Sequence, residues 1–244
     1  MALLVDVHAH LDDEKFKEDM DSVIDRAREA GVKKIITNGI DAATNRVSLE
    51  LAKKYDIVDV ALGWYPQEHP GELDDELEFI KKQKFVAVGE VGLDYKRDYD
   101  KEKQKKDFQK MIDLAKKFDK PLIVHSRQAE EDVIEMLEKA EAKKVVMHCF
   151  SGNFKLVKKV ADNGWSFSIP VNIVKSDHFQ KLVGEVNISQ LLTETDAPWL
   201  GPDPGKRNEP AFVVETVKKI AEVKNMTVKD VENNIFMNFQ NMFM

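Results

Sequence analysis

Eight times along this chain a short apolar run rich in β-branched residues gives way to an amphipathic stretch with helical periodicity. Such alternation restricts the fold. Parallel neighbours need a long crossover between them, and crossovers that are helices cover the faces of the sheet. The strand runs lie at 3–7, 34–37, 57–62, 85–89, 122–124, 144–147, 165–169 and 188–193. Between them, helical patterns occupy 16–30, 43–54, 73–82, 101–118, 130–140, 154–163 and 177–183, and two closing helices follow at 211–223 and 228–239. In the first helix Phe16, Met20, Val23 and Ala27 share a face, and Gly31 provides a stop.

Two architectures satisfy this pattern, an open doubly wound sheet and a closed (β/α)₈ TIM barrel. The Gly-rich phosphate loop that open sheets often carry after the first strand is absent. The distribution of polar residues points the same way. His8 and His10 follow the first strand run, Glu90 the fourth, His125 the fifth, His148 the sixth and Asp196 the eighth. In a barrel these positions converge at the C-terminal mouth, where barrel enzymes place their active sites. The expected fold is therefore an α/β (β/α)₈ TIM barrel, with one domain spanning 1–244.

The chemistry of that set is specific. Side chains at i and i+2 of a strand share a face, so His8 and His10 can reach one ion. Two further imidazoles and two carboxylates make a mixed nitrogen and oxygen set suited to Zn, Mn or Mg. Six ligands exceed the four of a single tetrahedral ion, which favours two divalent metal ions bridged by Glu90. A single strand-end histidine is ordinarily just a hydrogen-bonded rim residue. Here four of the 6 histidines take equivalent positions, and that departs from the ordinary. Asp94 and Glu194 belong behind this ring or against substrate, although each also fits a solvated rim carboxylate.

Composition narrows the remainder. Hydrophobic residues make up 43% and charged residues 33% of the chain, enough for a core without staples. Cys149 is the single cysteine, which excludes an internal disulfide and suits a reducing compartment. No targeting segment is visible, and no apolar run approaches the ~20 residues of a membrane span. A soluble, cytoplasmic protein is expected. The net charge of −7 argues against generic charge-driven binding to nucleic acid, but leaves room for a local basic rim. Cys149 faces away from His148 by strand alternation, and His178 reads as a surface histidine. The lysine-rich stretch 96–106 reads as a solvated helix face in which only Lys96 and Arg97 adjoin the chemistry. The aromatic and Met pattern at 236–244 reads as core packing.

Six segments carry a family resemblance: DVHAHLD at 6–12, GEVGLDY at 89–95, VHSR at 124–127, HCFSG at 148–152, ETDAPWL at 194–200 and RNEP at 207–210. In order and spacing the chain resembles the TatD-type metal-dependent deoxyribonucleases of the amidohydrolase superfamily. The resemblance implies a two-metal barrel that hydrolyses phosphodiester bonds in DNA, in a single strand or at a strand end, as an exonuclease. It implies neither a membrane nor an obligate protein partner. By that likeness His8 and His10 hold one metal and His125 and His148 the other. Glu90 bridges them, and Asp196 binds metal and handles the proton of the attacking water. Arg127, Arg207 and Asn208 are placed to meet a phosphate or the loop that clamps it. One segment departs: GWYPQEHP at 63–70 has Tyr65 where the family has histidine, and His69 is a candidate stand-in. The rival within the superfamily is a C–N or ester hydrolase acting on a small molecule. Many of those carry a carbamylated lysine where this chain has Glu90. A mononuclear deaminase would want a glutamate close after His125, where Arg127 stands. A non-catalytic scaffold would have lost part of the ligand set.

Overall fold

Parallel strands follow one another around a single eight-stranded sheet in chain order. They are β1 (Leu4–Ala9), β2 (Val32–Asn38), β3 (Val58–Trp64), β4 (Ala87–Asp94), β5 (Leu122–Arg127), β6 (Val145–His148), β7 (Ser166–Ile169) and β8 (Leu191–Thr193). The structure, a computed structural model, describes residues 2–69, 71–203 and 205–244. Helices α1 (Met20–Ala30), α2 (Ala42–Lys54), α3 (Leu73–Ile80), α4 (Lys101–Phe118), α5 (Glu130–Lys139), α6 (Phe154–Asp162) and α7 (Asp177–Glu185) cover the outside. Helices α8 (Val213–Lys224) and α9 (Val228–Phe243) complete it. Every residue of β1, β4, β6 and β7 is buried, as expected of parallel strands enclosed on both faces. The TIM barrel expected from the alternation is the observed fold.

Local sequence explains the helix ends. Asp41 and Thr44 form a reciprocal capping box at α2, with Thr44 N donating to Asp41 Oδ1 at 2.8 Å and Asp41 N to Thr44 Oγ1 at 2.9 Å. Helix α1 ends at Gly31, whose φ of 95° is cheap only for glycine. Its start differs from the periodicity. Phe16 lies in a 3₁₀ turn, Glu14–Phe16, and the α-helix begins only at Met20. Phe16 is fully buried and anchors this turn beneath the Arg207 guanidinium, 4.8 Å from its ring.

The barrel closes between β8 and β1 through a short set of bonds. Thr193 Oγ1 donates to Val5 O at 2.6 Å, Asp196 N to His8 O at 2.8 Å and His10 N to Ala197 O at 2.7 Å. Buried Asp6 joins the same seam, accepting from Thr195 N at 2.9 Å and Thr195 Oγ1 at 2.5 Å. His8 N donates to Asp6 Oδ1 at 3.2 Å, and His10 follows just past the end of β1. The seam therefore fixes the two imidazoles against the segment that carries Asp196.

Strand ends are where the sequence reading falls short. Strands β1, β4, β5 and β6 run on to Ala9, Asp94, Arg127 and His148, past the points where apolar patterning stops. The ladder continues under polar side chains, with Gly92 opposite His125 and Asp94 opposite Arg127. His8, Glu90, His125 and His148 thus lie within strands, not after them. Register shifts fall between Asp6 and Ala9 and between Val88 and Val91, so β1 is irregular at His8 and β4 at Glu90. Such bulges re-aim a side chain next to a site. Two glycines make room for the one in β4. A Cβ on Gly63 would lie 2.3 Å from Glu90 N, and one on Gly92, at φ 141°, 2.0 Å from His125 O.

Lysines of α4 pair outward, Lys103 with Asp107, Lys105 with Asp132 and Lys110 with Asp74, consistent with a solvated face. His178 is not a surface group: it is half-buried, bonds Phe150 O at 3.1 Å and packs against Phe154 and Phe179. In the last helix Phe239 is core, but Met237 is exposed, as is Met244 just past the helix end. No helix among the described residues is long and apolar enough to cross a membrane.

Candidate metal centre

Four strands and the β8 loop deliver six side chains to the C-terminal mouth; His10, Glu90, His125, His148 and Asp196 line a cavity of about 420 Å³ there, and His8 is fully buried against them. His8 and His10 approach to 3.2 Å between their Nε2 atoms. Glu90 Oε2 lies 3.5 Å from the first and 3.4 Å from the second, and Asp196 Oδ1 lies 3.6 and 3.5 Å away. A tetrahedron of ligands ~2.1 Å from a central cation has edges of ~3.4 Å. The observed spacings match those edges. Glu90 turns its other oxygen, Oε1, to a second set, 3.0 Å from His125 Nδ1 and 4.0 Å from His148 Nε2. Each of the triads His8–His10–Asp196 and Glu90–His125–His148 places its ligand atoms within 4.8 Å of one another.

Electrostatics agree with a cation-binding role. Burial works to raise the Glu90 carboxyl, but bonds from His10, His125 and His8 hold it well below the usual carboxylate range. Burial would keep His10 and His125 neutral. Asp196 and Glu90 overcome this at His10, and Asp94 and Glu90 raise His125 to about 9. Burial, with the neighbouring His148, lowers His8, and burial lowers His148. The buried carboxylates therefore call for positive charge in their midst, which bound cations would supply.

Behind the ring stands a layer of orienting groups. Glu194, fully buried, accepts from His148 Nδ1 at 2.8 Å and from Ser168 Oγ. This leaves His148 Nε2 to face the cavity, the carboxylate–histidine arrangement typical of metal sites. Glu194 also lies near His8, and its Oε1 and His8 Nδ1 are both buried without a hydrogen-bond partner. Asp94, also fully buried, accepts from the Tyr65 hydroxyl at 2.8 Å and approaches His125 Nε2 and Arg127 Nε at 3.4 Å each. Burial would raise its carboxyl, but His125 and Tyr65 hold it at about 2.

Not every expected residue joins the cavity. Arg127 does. Arg207 instead gives its fork to Asp19, two bonds of 2.7 Å, and caps Phe16. That pairing holds Asp19 at about 2. Asn208 is fully buried and cannot touch a substrate. Its Nδ2 donates to Thr195 O and Trp199 O at 2.7 Å each, and its Oδ1 accepts from Glu209 N at 3.0 Å. The residue clamps the loop that carries Asp196. His69 does not replace the family histidine. It bonds Tyr65 O at 2.7 Å and packs on Trp64 at 3.8 Å. The Tyr65 hydroxyl itself reaches the site, 3.2 Å from His125 Nε2. Burial and the nearby Glu90 and Asp94 raise its phenol, so it remains a donor.

Sequence reasoning missed Asp12, Gln67 and Trp199, which also line the cavity; of Lys96 and Arg97, the two basic residues it set beside the chemistry, Arg97 lines the cavity. For Arg97 the signal was adjacency to Asp94, and for Trp199 its place three residues after Asp196. Cys149 stays out of the lining, and burial with the neighbouring Glu194 and Asp196 raises its thiol well above the usual range.

Replacing Asn208 with Ala removes the donor to the buried Thr195 carbonyl and to the part-buried Trp199 carbonyl, at ~1–3 kcal/mol for a fully buried unsatisfied group. A lower unfolding temperature is expected, together with a 10–100-fold loss of activity as Asp196 loosens. Thermal unfolding and kcat on one substrate check both.

A closed barrel whose mouth gathers imidazoles and carboxylates around cation-sized gaps defines a metal-dependent hydrolase. Comparison with known proteins makes the class specific. The family model described as TatD related DNase matches residues 5–244. The chain belongs to the TatD family. It is 37% identical to the metal-dependent hydrolase YabD of Bacillus subtilis (strain 168), over 99% of each chain. With the 3'-5' ssDNA/RNA exonuclease TatD of Erwinia tasmaniensis it shares 30% identity, over 98% of this chain and 99% of that one. The crystal structure of YjjV, the TatD homologue of Escherichia coli, superposes with a TM-score of 0.92 at 26% identity, covering 99% of this chain and 98% of that one. The chain is thus a metal-dependent hydrolase of the deoxyribonuclease type, acting on phosphodiester bonds.

Proposed function

We propose that the protein is a cytoplasmic 3'-5' exonuclease that hydrolyses single-stranded DNA from an end, using two divalent cations. Glu90 carries the two-cation reading, because its oxygens face separate imidazole sets. His8, His10 and Asp196 would hold one ion and His125 and His148 the other. The chemistry such cations supply is Lewis acidity at the phosphate and at the attacking water.

The remaining work falls to the chain. Asp196, at the floor of the cavity, takes the proton of the attacking water at its carboxylate. Burial opposes its charge, but His10, His148 and His8 keep its carboxyl low, so it stands ready as an acceptor. Arg127, held by Asp94, offsets the charge of the bound phosphate. Glu194 fixes the tautomer of His148, and Tyr65 with Asp94 fixes the His125 ring.

The unpaired form of the substrate is supported by depth. The ligand side chains are 0–15% exposed, so a phosphodiester must descend into the mouth. A flexible strand end can do this, whereas a duplex would first have to open. The relative named a 3'-5' ssDNA/RNA exonuclease supports the polarity.

The test is a chelation series with end-labelled single-stranded DNA, duplex DNA and RNA. Chelation should abolish cleavage, and Mg, Mn or Zn should restore it, with single-stranded DNA shortened from its 3' end fastest. Full activity after exhaustive chelation, or internal cleavage of duplex as the fastest reaction, contradicts the proposal.

A further inference from the structure

One large apolar side chain in the cavity wall has no part in the metal centre. Trp199 is 48% exposed, whereas Trp64 and Trp165 are 4% and 2% exposed. Among the described residues it is the only exposed large hydrophobic that lines the cavity; Val47, Val228, Met237 and Met244 lie elsewhere.

Its exposure is not the looseness of a mobile loop. Trp199 N donates to Asp196 O at 2.8 Å, and Trp199 O accepts from the buried Asn208 amide at 2.7 Å. Lys15 Nζ sits 3.6 Å from the ring centroid and covers one face. The remaining surface opens onto the cavity that also holds Arg127, Arg97 and five of the six candidate metal ligands. A fixed, half-uncovered indole pays a solvation cost in the free protein. It removes that cost when a flat apolar group lies against it.

We infer that Trp199 is a nucleobase platform. It stacks the base of the nucleotide next to the scissile phosphate while Arg127 and Lys15 meet the backbone charge. The inference rests on the nuclease reading and adds a subsite to it. Stacking on an aromatic ring accepts any base, so the platform gives grip without sequence preference. Its hydrogen bond to Asp196 O sets the distance between the stacked base and the reacting phosphate.

Trp199→Ala, Trp199→Phe and the wild-type enzyme are compared on three substrates with Mn. These are an oligothymidylate, the same oligomer with abasic tetrahydrofuran residues, and methyl p-nitrophenyl phosphate. Trp199→Ala should raise KM for oligothymidylate by about 5- to 150-fold with kcat little changed. Trp199→Phe should recover most of that loss. The abasic oligomer and the small diester should be insensitive to either change. Equal losses on all three substrates would indicate that the residue only supports Asp196, and an unchanged KM for oligothymidylate would remove the platform. Both results overturn the inference.

A second readout separates it from the nuclease reading. Oligothymidylate added to chelated protein should quench tryptophan fluorescence in the wild type and not in Trp199→Phe, because the other two indoles are buried. Quenching with no cleavage under any metal would sink the nuclease reading while sustaining the platform. Quenching that persists in Trp199→Phe overturns the platform whatever the activity.

Discussion

Glu90→Gln is expected to take phosphodiester cleavage down by well over 100-fold, beyond the 10–100-fold typical of losing an outer-layer partner. The amide keeps the volume and shape of the carboxylate, so packing in β4 survives. It cannot keep the negative charge that both imidazole sets face, 3.4–3.5 Å away on one side and 3.0–4.0 Å on the other. Since both sets depend on this group, the variant should lose metal from both and not from one alone. Metal content after dialysis, kcat and a circular dichroism melt together check this. An enzyme that retains two equivalents of metal and near wild-type rate contradicts the bridging role.

Asp196→Asn should cost about 10²–10⁴-fold in kcat, the range for losing a general base, with a much smaller change in metal content. Asparagine is the informative substitution because Asp196 has a φ of 57°, which asparagine tolerates and alanine resists. Asp196→Ala should lose turnover equally but also give up stability through that backbone strain. If Asp196→Asn turns over at the wild-type rate, the proton is accepted elsewhere. Comparing the melts of the two variants separates the chemical loss from the conformational one.

Much of this molecule was legible in the sequence, for a physical reason. Parallel strands buried on both faces appear as apolar runs, and a barrel places the first polar residues beyond those runs at one mouth. His8, His10, Glu90, His125, His148 and Asp196 could be gathered on that logic alone. Polarity, however, does not mark the end of a strand. β4 runs on through Glu90 to Asp94 because hydrogen bonding to β5 continues irrespective of side-chain polarity.

Residues whose roles depend on distant partners were harder to read. Arg207 carries the type of charge a phosphate wants, but Asp19 had already claimed its fork. Asn208 was expected near the substrate, yet the carbonyls of the β8 loop needed a donor more. Nothing in the local pattern around either residue announces its partner. Tyr65 shows the opposite case: a departure from the family motif that the structure absorbs, because a phenol reaches Asp94 and His125 from the same position.

A crystal grown with manganese, with data collected at its absorption edge, addresses the bridging carboxylate directly. The expected map holds two anomalous peaks, one among His8, His10 and Asp196 and one beside His125 and His148, each in contact with a different oxygen of Glu90. A single peak that leaves one imidazole set empty at saturating metal, or two peaks with Glu90 bound to neither, would contradict it.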